Sequence, residues 1–321
     1  MRRIYGILFF ILMAAPCLAQ QDAQFSQYLF NGLYINPAHA GYRQQWNVNA
    51  FYRNQWTGYP GAPQTFSVAA DGSANNERVG LGIVAMEDKL GPGRYTSFYG
   101  NYAYRIPMDE DGTRTLAVGI GAGFVQQNLD VSLLNPVTEI DNLILNSKHN
   151  ALLPDAKFGL FYNSDRFFAG ISVDNLMTET FQKSSALKTY LPMKPHMYVN
   201  VGGLVALSES FLLKPSLLVK EDFAGPTSLD VGTFLLINKV LWVGAAYRTA
   251  IFNKSNLQSG LEKSAAVLGM VEFFIGSNIR VGYGYDATIN ATAAVGYTTH
   301  EISLGYFFSR PKAKMLSPRY F

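Results

Sequence analysis

The sequence predicts an all-β chain: an antiparallel transmembrane β-barrel of about fourteen strands, with a short N-terminal cap or plug segment. Three observations predict it. The first is composition. Hydrophobic residues make up 48% of the 321, aromatics 14% and charged residues only 15%, against about 25% charged in an ordinary soluble domain. A chain of this kind packs an unusually large core or faces lipid. The second is alternation. Val281, Tyr283 and Tyr285 alternate with Gly282, Gly284 and Asp286, and Ile302, Leu304, Tyr306 and Phe308 with Glu301, Ser303, Gly305 and Phe307. The third is the rhythm of the connections, in which short and long links take turns.

Residues 1–19 read as a cleaved signal peptide. Arg2 and Arg3 precede an apolar stretch, Ile4 to Ala15, and Cys17-Leu18-Ala19 ends on small residues. Cys17 is the single cysteine, so the mature chain has no disulfide and no cysteine metal site. Residues 20–43 form an aromatic, nearly uncharged segment without a helix or strand period. Pro37 restricts Asn36 to extended or turn geometry, and Gly41 permits a sharp entry into the first strand. Phe25, Tyr28, Phe30, Tyr34, Asn36, Pro37 and Gly41 are the candidate plug or cap. The alternative for these aromatics is a periplasmic girdle at the membrane boundary.

The barrel is expected over 44–308, with strands near 44–56, 63–71, 78–87, 94–106, 114–127, 155–163, 166–175, 196–207, 210–222, 226–236, 240–249, 263–274, 278–286 and 300–308. Most span roughly 9–13 residues, enough to cross a bilayer at a tilt. Leu116, Val118, Ile120, Ala122 and Phe124 alternate with Ala117, Gly119, Gly121, Gly123 and Val125. Glycine weakens a strand interior, so its repetition on one face points to a backbone that is closely approached from inside. Even-numbered links are short and the odd-numbered ones mostly longer, with Phe223 to Gly225 as an exception. That is the pattern of periplasmic turns and outer loops. An even strand count allows closure, which leaves no edge unpaired in lipid. Pro311 and Pro318 keep the tail, 309–321, from reading as a strand.

Catalytic chemistry is hard to find. His39, His149, His196 and His300 show no metal-ligand spacing. Asp109-Glu110-Asp111-Gly112 lacks the remaining spacing of a calcium loop and reads as a solvated turn. Gly119 to Gly123 lies in mid-strand with no helix after it, so it is no nucleotide fingerprint. No G-x-S-x-G motif occurs. The expectation is a protein that is not an enzyme and uses no cofactor. The net charge of +3 and the lack of a basic run give no reason to expect nucleic acid. Outer-membrane lipid is the expected surrounding.

Several motifs together carry a resemblance. Gln24 to Tyr28, Asn36 to Gly41, Arg53 to Trp56 and Gly61 to Thr65 resemble the PorP/SprF family. So do Glu87 to Pro92, Tyr102 to Arg105, Pro154-Asp155 with Gly159, His300 to Leu304, and the ending Ser317 to Phe321. That family comprises outer-membrane proteins of type IX secretion and gliding-motility systems in Bacteroidetes. The resemblance implies a non-enzymatic barrel. Its partner is the C-terminal domain of a secreted adhesin, the periplasmic components of the secretion machine, or both. The long outer loops are the candidate contacts. The first holds Leu133, Leu134, Ile140, Leu143, Ile144 and Leu145, much apolar surface for a loop; the alternative is a loop folded into its own barrel mouth. The competing function is an outer-membrane solute channel, for which Lys157, Lys214, Lys220, Arg248 and Arg280 would line an anion-preferring lumen.

Overall fold

The structure, a computed structural model, describes residues 25–130, 149–184, 193–223, 225–252, 264–289 and 297–308. The expected signal peptide (1–19) and tail (309–321) lie outside the described residues. So do all six apolar residues of the first long loop, Leu133 to Leu145.

The strands are β1 (Asn47–Thr57), β2 (Gln64–Ala74), β3 (Val79–Leu90), β4 (Gly93–Pro107), β5 (Thr115–Leu129), β6 (His149–Asn163), β7 (Phe167–Asp174), β8 (His196–Gly203), β9 (Val205–Ala206), β10 (Phe211–Glu221), β11 (Thr227–Ile237), β12 (Leu241–Phe252), β13 (Ser264–Ile275), β14 (Ile279–Thr288) and β15 (Thr298–Phe307). β8 and β9 both pair with β10 and are two pieces of one stave, interrupted at Leu204. Every neighbouring pair is antiparallel, and β15 pairs with β1 from Asn47↔Phe307 to Thr57↔Thr298. The result is a closed barrel of 14 staves. Closure matters because an open edge in hydrocarbon would leave backbone groups without partners. Among the described residues no helix is long and apolar enough to cross a membrane; the strands make the crossing.

Alternation sets the two faces. On β14, Val281, Tyr283 and Tyr285 point out and are exposed, while Arg280, Gly282, Gly284 and Asp286 point in and are buried. On β15, Ile302, Leu304 and Tyr306 point out, and Glu301, Ser303 and Gly305 in. The exposed side chains form the lipid-facing band, and the core of the molecule lies inside the cylinder.

Two differences from the sequence reading concern the outer rim. β6 starts at His149 and pairs with β5 over their whole shared length, from Leu129↔His149 to Thr115↔Asn163. Pro154 masks this start in the sequence, yet it sits exposed on the outer face opposite Phe124. β3 and β4 also run on until Leu90 faces Gly93. They leave a two-residue outer turn, with Gly91 at φ +53°. The outer links are therefore short at three places and long elsewhere. At the opposite rim the turns are short throughout. Asn238 and Lys239 link β11 to β12 in left-handed conformation, as a tight hairpin turn requires.

Candidate functional site

Residues Phe25 to Arg43 lie inside the barrel, and the chain reaches the rim at Trp46, which is exposed. They fold into three short pieces: a 3-10 turn at Tyr28–Phe30, one helical turn at Gly32–Ile35, and a second 3-10 turn at Pro37–His39. The Asn-Pro pair explains the last of these. Asn36 is extended, at φ −145° and ψ 114°, as a residue before proline must be. Its side-chain oxygen accepts from the Ala38 N–H at 2.9 Å, and its amide donates to the Leu160 carbonyl at 3.0 Å. One side chain thus caps the turn and ties it to the wall.

The segment touches the wall all the way round. Phe30 fills a socket of Leu204, Leu212, Phe234, Leu236, Trp242 and Met270. Leu33 and Ala40 pack on Ala69, Val84 and Ala103 across the lumen. Tyr28 and Ile35 meet Tyr198 and Leu218, and Ala38 meets Ala117, Phe161 and Phe168. Phe25 stands edge-on to Tyr34 at 4.7 Å between ring centres. Of the seven candidate residues, Phe25, Tyr28, Phe30, Asn36, Pro37 and Gly41 are buried and Tyr34 is half-buried. None takes part in a girdle facing lipid.

The inward glycines find their use here. Gly80, Ala103, Gly119, Gly159 and Ser172 are direct cross-strand partners in sequence along β3 to β7. They form a row of small residues on the inner wall, and Ile35 to Ala40 lie along it. A Cβ on Gly80 would fall 1.8 Å from the Ala40 carbonyl oxygen, one on Gly119 2.1 Å from the Ala38 nitrogen, and one on Gly159 2.0 Å from Asn36 Oδ1. Ser172 donates its hydroxyl to the Ile35 carbonyl. Where the segment leaves the row, the Gly41 N–H donates to Asp71 at 2.8 Å and Arg105 donates to the Ala40 carbonyl. Gly41 has φ +62° and its α-carbon side is pressed against the Gly72 carbonyl, a position that only glycine fits.

The interior is charged, and most of its charges meet a charge of opposite sign. All five cations expected to point inward do so, and they are accompanied by acids that the sequence reading does not single out. Lys157 pairs with Asp174 at 2.7 Å, Lys220 with Asp230 at 2.9 Å, Arg248 with Asp230 at 2.9 Å, and Arg280 with Glu272 at 3.4 Å. Lys214 lies over the rings of Phe168 and Trp242. Arg53 bridges Glu301 and Asp286. Buried charges need such partners, and a paired wall exerts little net pull on a passing anion. The sequence does hold a signal for two of the acids: Asp286 and Glu301 share the inward phase with the glycines of their own strands.

Two small spaces lie among the described residues. A cavity of about 40 Å³ lies beside Tyr28, Asn31, Arg43, Asp71 and Lys214, and one of about 90 Å³ lies at the turn rim by Arg78 and Arg105. Such volumes hold a few waters. Among the described residues no group of three or more His, Cys, Asp or Glu side chains is placed to hold a metal. His39 is inside, with its ring 4.0 Å from that of Phe161. His300 is on the outer face, 2.7 Å from the Tyr283 hydroxyl. Asp109 begins a turn at the short-link rim, accepting from the Thr113 hydroxyl and the Arg114 N–H.

Comparison with known proteins gives one family and several solved structures. The family model described as type IX secretion system membrane protein PorP/SprF matches residues 17–306. No curated protein matches the chain significantly. Among solved structures, the Acinetobacter baumannii outer membrane protein Omp33 is similar at 9% identity, over 83% of this chain and 98% of that one, with a TM-score of 0.48. The Pseudomonas putida toluene transporter TodX is similar at 10% identity, over 90% and 94%, with a TM-score of 0.47. A TodX mutant, described as a monoaromatic hydrocarbon channel, reaches 0.50 at 10% identity, over 90% and 95%. Likeness at this identity concerns the outer-membrane barrel fold.

Proposed function

The chain belongs to the PorP/SprF family of type IX secretion system membrane proteins of the outer membrane, and on that premise we propose that it is a non-enzymatic docking barrel. In this reading it receives or anchors a secreted surface protein through that protein's C-terminal domain, or links the membrane to periplasmic parts of the secretion machine. The observation that supports it is the occupied lumen. A barrel occupied by its own residues 25–43 leaves less room for a solute path, and its rims are the surfaces left to work with. The tall β3–β6 side of the outer rim and the loop after β5 are the proposed contacts on the cell surface.

The test is to extract the protein from its own membrane in mild detergent, with a tag in an outer loop, and identify what accompanies it by mass spectrometry. A secreted surface protein held through its C-terminal domain supports cargo docking. Periplasmic machine components without it support the scaffold role. A barrel that comes out alone at every detergent strength tried removes the support for either. Replacing Leu143 and Ile144 with Ser should release cargo at unchanged barrel abundance. Loss of the barrel instead would make that loop structural.

A further inference from the structure

Every neighbouring pair of staves but one is consecutive in the chain, so a hairpin holds its partners close. The exception is the seam between β15 and β1, where Arg53 meets Glu301 across 248 residues of sequence. Register is weakly specified in glycine-rich strands, and the seam region carries Gly282, Gly284 and Gly305. A slip of two residues would keep every side chain on its proper face. Something other than a turn must select the register.

From the contacts of the lumenal segment we infer that residues Ser26 to Phe30 act as a latch that sets the register of this seam. The segment reads two rungs. At the first, Arg53 of β1 and Glu301 of β15 are direct partners and form an ion pair. The N–H groups of Ser26 and Gln27 donate to the two oxygens of that same carboxylate, at 2.6 and 3.0 Å. Successive backbone amides make a natural anion cradle. The Ser26 hydroxyl accepts from Arg53 at 3.0 Å and donates to Asp286 of β14 at 2.6 Å. At the second rung, Asn49 of β1 faces Gly305 of β15. Arg280 of β14 reaches over that glycine to donate to Asn49 Oδ1 at 2.6 Å and to the Phe30 carbonyl at 3.1 Å.

The spacings agree. Arg53 and Asn49 are four residues apart, as are Glu301 and Gly305, and as are Ser26 and Phe30. In the register slipped by two, Arg53 would face Ser303 and Asn49 would face Phe307. The cradle would then lose its carboxylate and the second rung its gap at the same time. The segment therefore fits the observed register and rejects this slipped one.

The experiment scores both registers by disulfide formation in the outer membrane, in a Cys17→Ser background. Tyr52→Cys with Ile302→Cys reports the observed pairing, because these residues are direct partners on the outer face. Tyr52→Cys with Leu304→Cys reports the slipped one. Directly opposed strand residues have the Cα separation that a disulfide needs. Each pair is combined with Gln27→Pro, which removes one cradle N–H at a residue whose φ of −85° lies near the range proline takes. Gln27→Ala, which keeps the N–H, is the control. The ratio of observed to slipped crosslink should fall at least about tenfold in Gln27→Pro relative to Gln27→Ala, the scale of one charge-assisted hydrogen bond. Failure of Gln27→Pro alone to assemble, beside a normally assembled control, counts the same way. An unchanged ratio in an assembled Gln27→Pro barrel overturns the latch, and so does equal loss of assembly in both variants.

Discussion

A methyl group on Gly119 has no room, because it would press on the backbone of Ala38, which is itself held between Pro37 and the wall. Gly119→Val should cost about 1–3 kcal/mol by overpacking, read as a lower unfolding midpoint in detergent. Phe30 argues from the opposite direction. Its ring is buried in a socket drawn from four staves and the break at Leu204. Phe30→Ala should cost about 3–5 kcal/mol, the usual penalty for an emptied aromatic site, measured by urea unfolding of the purified barrel. These two residues also mark what is legible in the sequence. The glycine face announces a close approach from inside, because glycine weakens a strand and its repetition at period two clears space along one wall. The socket of Phe30 is not legible, since its residues come from distant positions and no local pattern links them. The same holds for Glu301, whose inward phase can be read but whose partner, Ser26, cannot.

At the scale of single elements, strands are the easiest to read and their outer ends the hardest. Alternation is a property of a few neighbouring residues, so nearly every stave is visible in the sequence. Where a strand stops depends on pairing with its neighbour, so β6 begins earlier than its proline suggests and β3 runs on to meet β4. Turns offer a test of their own. Asp109 opens the link from β4 to β5, and hydrogen bonds from the Thr113 hydroxyl and the Arg114 N–H hold its carboxyl below the ordinary carboxylate range. A carboxyl depressed by folding adds stability above its unfolded pKa and loses it as pH falls through the folded one. Wild type should therefore melt above Asp109→Asn at neutral pH, and the two should converge in acid. Melting both variants from neutral pH down through the carboxylate range checks this, and a gap that persists in acid would contradict it.

For the molecule as a whole, the question is what the filled lumen does to transport. Most of the wall charges meet a charge of opposite sign, and the cavity beside the segment suits a few waters. Removing Gln24 to Ala40 should open that interior, and single-channel conductance of the purified barrel should rise from near zero to that of an open pore. Conductance equal in the two forms would mean that the segment does not govern passage. A barrel's polar interior can hold water or a plug, and here residues 25–43 of the chain itself occupy it.

That arrangement has a consequence for the order of events in assembly. Ser26 and Gln27 find their partner 275 and 274 residues later, in the final strand. The N–H groups of Ser26 and Gln27 therefore wait for the latest part of the described chain before they are paired with Glu301. Until β8 to β13 have formed, Tyr28 and Phe30 lack the residues they pack on and offer an apolar surface to whatever is near. Contacts of such long range form slowly because the loop entropy must be met first. A late, cooperative locking step is the kinetic behaviour expected of contacts in this order.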